Sequence, residues 1–125
     1  MDFGLRDDRW YGAFYTESLE DELEVVCGRI LRDLLVDRRK GVLPRNSVYT
    51  VALIGRTITV QVFVTPGTIE AETDKDKIRE RVRIIGDRYN WVGKTNPTDV
   101  RYHTKVGVSE VRTSVSNLAA GGLFG

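Results

Sequence analysis

Apolar and polar residues alternate most regularly between Val48 and Val64, where the chain reads VYTVALIG followed by RTITVQVFV. Strict alternation over two such runs predicts two half-buried strands. Gly55-Arg56 forms a two-residue loop between them. A glycine in its first place suits a type II′ hairpin turn, because it takes positive φ without steric cost. That turn pairs Ile54 with Thr57, Leu53 with Ile58, Val51 with Val60 and Tyr49 with Val62. One face then carries Tyr49, Val51, Leu53, Ile58, Val60 and Val62, and the other Thr50, Ala52, Thr57, Thr59 and Gln61. A slip of one residue would send every apolar side chain to the wrong face. The hairpin needs a cover on one side only.

The flanking segments carry a longer period. Leu19, Leu23, Val26, Cys27, Ile30, Leu34 and Leu35 follow helical spacing and predict a helix over about residues 19–39. Ser18 with Asp21 resembles a capping box at its start, while Gly41 and Pro44 end it. Beyond Pro66-Gly67 a polar connection leads to a second helix, capped by Thr73 or Asp74, with Ile78, Val82, Ile85 and Tyr89 on one stripe. Asn90 is a candidate left-handed exit residue. Trp91 to Asp99 reads as a loop. Val100, Tyr102, Thr104, Val106 and Val108 alternate as a third strand. Val111, Thr113 and Val115 alternate in the opposite phase, so a bulge or turn is expected near residues 107–110. The expected class is α+β: an antiparallel sheet built on a β-hairpin with two helices on one face, in the order α-β-β-α-β(β). At 125 residues the chain divides into an aromatic arm (1–16), one α+β domain (17–115) and a C-terminal tail (116–125).

Charge changes the picture. Net charge is only +1, but residues 1–37 hold ten acids against four arginines, while residues 38–67 hold five cations and no acid. An acidic front and a basic middle can draw copies together head to tail. The plainer reading is that Arg38, Arg39 and Lys40 complement a helix C-terminus. No apolar run reaches the about 18 residues that a membrane span needs. The opening MDFGLRDDRWYG lacks the basic and apolar regions of a signal peptide. The expected setting is neither secreted through a signal peptide nor membrane-bound. The single Cys27 has no partner for an internal disulfide.

Chemistry is sparse. His103, the one histidine, shares its side of the strand with Arg101 and Lys105 and reads as exposed. Cys27 lies on the apolar stripe, where a free cysteine acts as a small hydrophobe, so a dyad with His103 is disfavoured. Glu70, Glu72, Asp74 and Asp76 lack the spacing of a calcium loop and suit a helix N-terminus. We find no phosphate loop, nucleophile elbow or metal-ligand cluster, and expect no catalysis, cofactor or metal. Cations at 38–56 and on the second helix raise nucleic acid as a partner, although Asp74, Asp76, Glu80 and Asp87 interleave with the helix cations.

Assembly is what remains. Five of the eleven aromatics sit in the first 16 residues, and such side chains anchor interfaces. Trp10, Tyr11 and Phe14 in the arm, and Leu118, Leu123 and Phe124 in the tail, are the candidate contact residues. Arg45 and Arg56 are candidates for a charged seam.

Residues 18–115 are similar in element order to small phage head-to-tail joining proteins, especially tail terminators. The points of likeness are an acid-capped first helix, Leu43-Pro44 before a strand, the strand TITVQVFV, a polar loop into an amphipathic helix, and a last long strand. The resemblance implies a non-catalytic ring at the junction of tail tube and capsid portal, with other virion proteins as neighbours. It transfers no functional residue. A fainter likeness, through Tyr89-Asn90-Trp91 and the strand after it, is to small uncharacterised proteins of phages and mobile elements. The expectation is thus a self-associating structural protein, with a small nucleic-acid-binding or regulatory module as the alternative.

Overall fold

The fold is set by one pleated surface that has a wet side and a dry side. In the computed structural model, residues 5–70 and 72–111 are described. The hairpin strands β2 (Ser47–Ile54) and β3 (Thr57–Val64) pair antiparallel in the expected register, from Ile54 opposite Thr57 to Ser47 opposite Val64. Gly55 at the turn has φ +62°, a value that any side chain with a Cβ resists. On β3, Ile58, Val60, Val62 and Val64 are buried, whereas the residues between them are half-exposed.

Both helices cover the dry side. The helix α1 (Leu23–Lys40) contributes Val26, Ile30 and Leu34, and α2 (Glu72–Gly86) contributes Ile78, Val82 and Ile85, to one core with Tyr49, Ile58, Val60 and Val62. α1 ends at Gly41 in the left-handed conformation, and the Asp37 carbonyl accepts from the N–H groups of Val42 and Leu43. It begins four residues later than its periodicity suggests. Ser18 is not the cap: it lies buried in a 3₁₀ turn (Tyr15–Ser18) and its hydroxyl donates to the Tyr15 carbonyl, so Glu22 becomes the N-cap. α2 already includes Glu72, ahead of both expected caps.

The third strand differs from expectation in two ways. β5 (His103–Glu110) pairs with β3 in parallel, Thr57 opposite His103 through Val64 opposite Glu110. The reason is the crossover: α2 carries the chain back across the sheet, so the next strand starts beside the start of β3 and runs with it. The pairing is also one-to-one across residues 107–110, so no bulge interrupts it. Thr113 and Val115 lie outside the described residues. The result is a three-stranded mixed sheet, ordered β2-β3-β5, in an α+β fold with the expected sequence of helices and strands.

The N-terminal arm, which shows no period, is organised by a partner. Its segment β1 (Arg9–Tyr11) pairs antiparallel with β4 (Trp91–Gly93), inside the stretch expected to be a loop. The arm continues along the 3₁₀ turn Asp87–Tyr89: the Gly12 N–H donates to Asn90 and the Phe14 N–H to Arg88. A Cβ at Gly12 would stand 2.2 Å from the Asp87 carbonyl oxygen, so only glycine permits this approach.

Two outcomes follow from this packing. Ile58→Ala, at a fully buried site, is expected to cost about 2–5 kcal/mol in denaturant titration, while Val25→Ala, half-exposed on α1, stays within about 0.5 kcal/mol. Gly12→Ala is expected to cost about 1–3 kcal/mol through overpacking and to speed tryptic cleavage at Arg6 and Arg9 in the loosened arm.

Candidate assembly interface

The residues singled out from the sequence fall at three places. The first is the β1–β4 ribbon. Trp10 stands 65 % exposed opposite Val92, with the Lys94 ammonium 4.5 Å from its ring centroid. Tyr11 packs its ring on Tyr15 at 4.9 Å, and its hydroxyl accepts from the Arg6 N–H at 2.8 Å. Phe14 lies 6.2 Å from the Tyr89 ring, and the Arg88 guanidinium stands 5.0 Å from its ring centroid. Arg9 stacks over Trp91 at 3.4 Å and pairs with Asp99 at 3.1 Å. Tyr11 and Phe14 are thus partly spent on holding the arm, whereas the Trp10 ring faces outward.

The second place is the hairpin tip. Arg56 does not form a free charged seam: its guanidinium donates to the carbonyls of Val100 and Arg101, and its own carbonyl accepts from the His103 N–H. It ties the hairpin to the start of β5. The third place is the far end of α1, where Leu35, Arg38, Arg39 and Arg45 line an open groove of about 380 Å³. Arg45 lies over Gly41, and Arg38 donates to the Ser47 carbonyl at 2.9 Å. The tail residues Leu118, Leu123 and Phe124 lie outside the described residues.

A polar network holds these places together. Arg101 donates four hydrogen bonds of 2.7–2.9 Å, to the Ser18 hydroxyl and to the carbonyls of Ser18, Asp21 and Tyr89. Asn90 is extended rather than left-handed, with φ −93° and ψ 167°. It is buried because its amide oxygen accepts from the N–H groups of Trp91 and Tyr102 while its amide nitrogen donates to Tyr102 and Asp87. Asp33 and Asp37, one turn apart on α1, are also buried. Asp37 pairs with Arg81 of α2 at 2.7 Å, and Asp33 accepts from the Tyr89 hydroxyl and lies near Arg88 and Arg32. A signal was present: Asp33 and Asp37 sit beside Leu34 on the inward stripe, where a carboxylate needs a partner.

His103 is exposed on the side of the sheet that faces away from both helices, while Cys27, on α1, packs against the core on the other side. The sheet therefore separates them. Burial, helped by the nearby Glu24, pushes the Cys27 thiol up, which makes it a poorer nucleophile at neutral pH. Among the described residues no group of three His, Cys, Asp or Glu side chains is placed to hold a metal ion, and no helix is long and apolar enough to cross a membrane. Asp74 instead accepts from the Glu70 N–H, and Asp76 pairs with Arg79. Compared with protein-family models, curated proteins and solved structures, the chain has no significant match.

The buried network has a pH signature. Burial, and then the hydrogen bond donated to Asp33, push the Tyr89 phenol up from its ordinary 10.0 to about 12. The unfolded chain gives up this proton first, so the neutral phenol stabilises the fold fully below pH 10 and progressively less between 10 and about 12. Tyr89→Phe is expected to remove the last accessible step of the phenolate absorbance titration and to flatten the loss of stability across that window.

Proposed function

We propose that this chain is a non-catalytic structural protein that self-associates, as a ring-forming component at the head–tail junction of a phage-like particle. The observation that carries the reading is the edge strand β2. Its eight residues, SVYTVALI, contain no charge and no proline, and the register shows no bulge. Edge strands of monomers are ordinarily blunted by one of these devices.

The two-residue turn makes Ile54 and Thr57 a hydrogen-bonded pair, so the backbone groups of Tyr49, Val51 and Leu53 point away from β3. Among the described residues no other strand takes them. The side chains of the uncovered sheet face add apolar area at this edge, with Val48 54 % and Ile54 70 % exposed. A strand or face from a second copy would satisfy the outward N–H and C=O groups and remove that area from water. The outward Trp10 and the tail residues Leu118, Leu123 and Phe124 are further contacts in this reading. The placement at a head–tail junction rests on the resemblance in element order, and a virion or host-cytoplasm location goes with it.

A second reading is favoured by the groove of Arg38, Arg39 and Arg45, which suits a phosphate backbone: a small nucleic-acid-binding or regulatory module. Retention on DNA or RNA that falls steeply with salt would support it, because neutralised phosphates release counterions. Binding insensitive to salt, or no binding, removes it.

Light scattering on the full chain is expected to give a defined multiple of the protomer mass. Thr50→Lys with Ile54→Lys, both exposed on the edge strand, is expected to reduce that mass to the protomer's while leaving the far-ultraviolet circular dichroism unchanged. A monomer across the soluble concentration range would overturn the reading.

A further inference from the structure

We infer that copies of this chain meet head to tail, the acidic end of one (Glu17, Glu20, Glu22, Glu24) seated against the basic end of the next, where Arg38, Arg39 and Arg45 line a groove beside Lys40. The inference rests on the self-association proposed above and names the contact that gives it direction.

The charges of α1 and its approaches sort into those already satisfied and those left over. Asp21 pairs with Arg29 at 2.6 Å, Asp33 with Arg32 and Arg88, and Asp37 with Arg81. Among the described residues, Glu17, Glu20, Glu22 and Glu24 are all exposed and enter no ion pair, and the same holds for Arg39, Lys40 and Arg45. The two surplus groups lie at opposite ends of an 18-residue helix, about 27 Å apart. That separation exceeds the screening length of about 8 Å at physiological salt, so the groups cannot neutralise each other within one copy.

The ends of the sheet follow the same polarity. Arg101, just before β5, fastens the Ser18–Asp21 end beside the hairpin tip that Arg56 holds. Arg38 fastens the other end to Ser47, at the start of β2.

The helix dipole favours acids at the start of α1 and cations at its end, but it does not account for the whole arrangement. Glu17 and Glu20 precede the helix, and Arg45 follows it. Arg45 nevertheless folds back over Gly41, so that its guanidinium faces the groove with Arg38 and Arg39. Like charges gathered around a groove repel unless an anion lies between them, and guanidinium forks fit carboxylates closely. The chain itself presents four unpaired carboxylates, Glu17, Glu20, Glu22 and Glu24, at the other end of α1. A contact between two different surfaces repeats from copy to copy, and it closes into a ring where the rotation allows.

The test uses two charge-reversed forms of the full chain: Glu17→Lys with Glu20→Lys, and Arg39→Glu with Arg45→Glu. Each alone is expected to need a concentration on the order of tenfold higher, or more, to assemble, since like charges now face each other. Mixed one to one, they are expected to regain the mass of the natural assembly. The intact groove of the first meets the intact acids of the second, and the two reversed surfaces meet each other. Far-ultraviolet melting establishes that both forms fold. If a reversal unfolds the chain, the corresponding glutamine variants replace it, with a smaller loss of association expected, because attraction is removed and no repulsion is added. Single forms that keep the natural mass would overturn this contact while leaving self-association standing. So would folded forms that fail to complement. A natural chain that is monomeric throughout would overturn both readings, and salt-sensitive DNA binding lost in Arg39→Glu with Arg45→Glu would then assign the groove to phosphates.

Discussion

The register of the three strands is the constraint on which the rest of this structure depends. Tyr49, Val62 and Val108 form one row across the sheet, and Val51, Val60 and Val106 form the next. Because every row puts its apolar members on the same side, one surface of the sheet must be covered and the other need not be. Both helices accordingly pack on one side, and their inward stripes share a single core with these rows. Among the described residues no strand pairs with the outer edge of β2. Core and solvent-facing surface are thus two faces of one choice of register.

A second layer of organisation is polar. The N-terminal arm has too few apolar residues in any period to hold itself in place. It is held by backbone pairing with β4, by the fork of Arg101 and by the close approach that Gly12 permits. Asn90 and Tyr89 stand where the arm, the end of α2 and the start of β5 converge. Satisfied networks of this kind fix one arrangement among several that burial alone would tolerate. They also consume most of the internal charge of α1, and so leave the exposed glutamates and arginines concentrated at its two ends.

Much of this was legible from local pattern. The stripe Ile78, Val82, Ile85 and Tyr89 is buried as its spacing implies, and Gly41 closes α1 where glycine and the following Pro44 predict. Of the candidate contact residues, Trp10 could be flagged by its type alone, and it does face outward. Arg56 looked equally available, but its role is set by two carbonyls 44 and 45 residues further along. Ser18 resembled a helix cap for a sound reason, yet Arg101, 83 residues away, claims it. No local rule reaches such partners.

The sequence by itself determined the hairpin, its turn and its register, because alternation of period two and a glycine at positive φ are properties of adjacent residues. It determined the helical stripes for the same reason. Tertiary structure alone decided that β5 runs parallel to β3, that the aromatic arm becomes a strand against β4, and that Asp33 and Asp37 face Arg88 and Arg81. Each of those outcomes is a choice of partner between segments far apart in the chain. Such choices are settled by which remote groups leave the fewest buried charges and backbone groups unpaired, a quantity that exists only once the chain has folded.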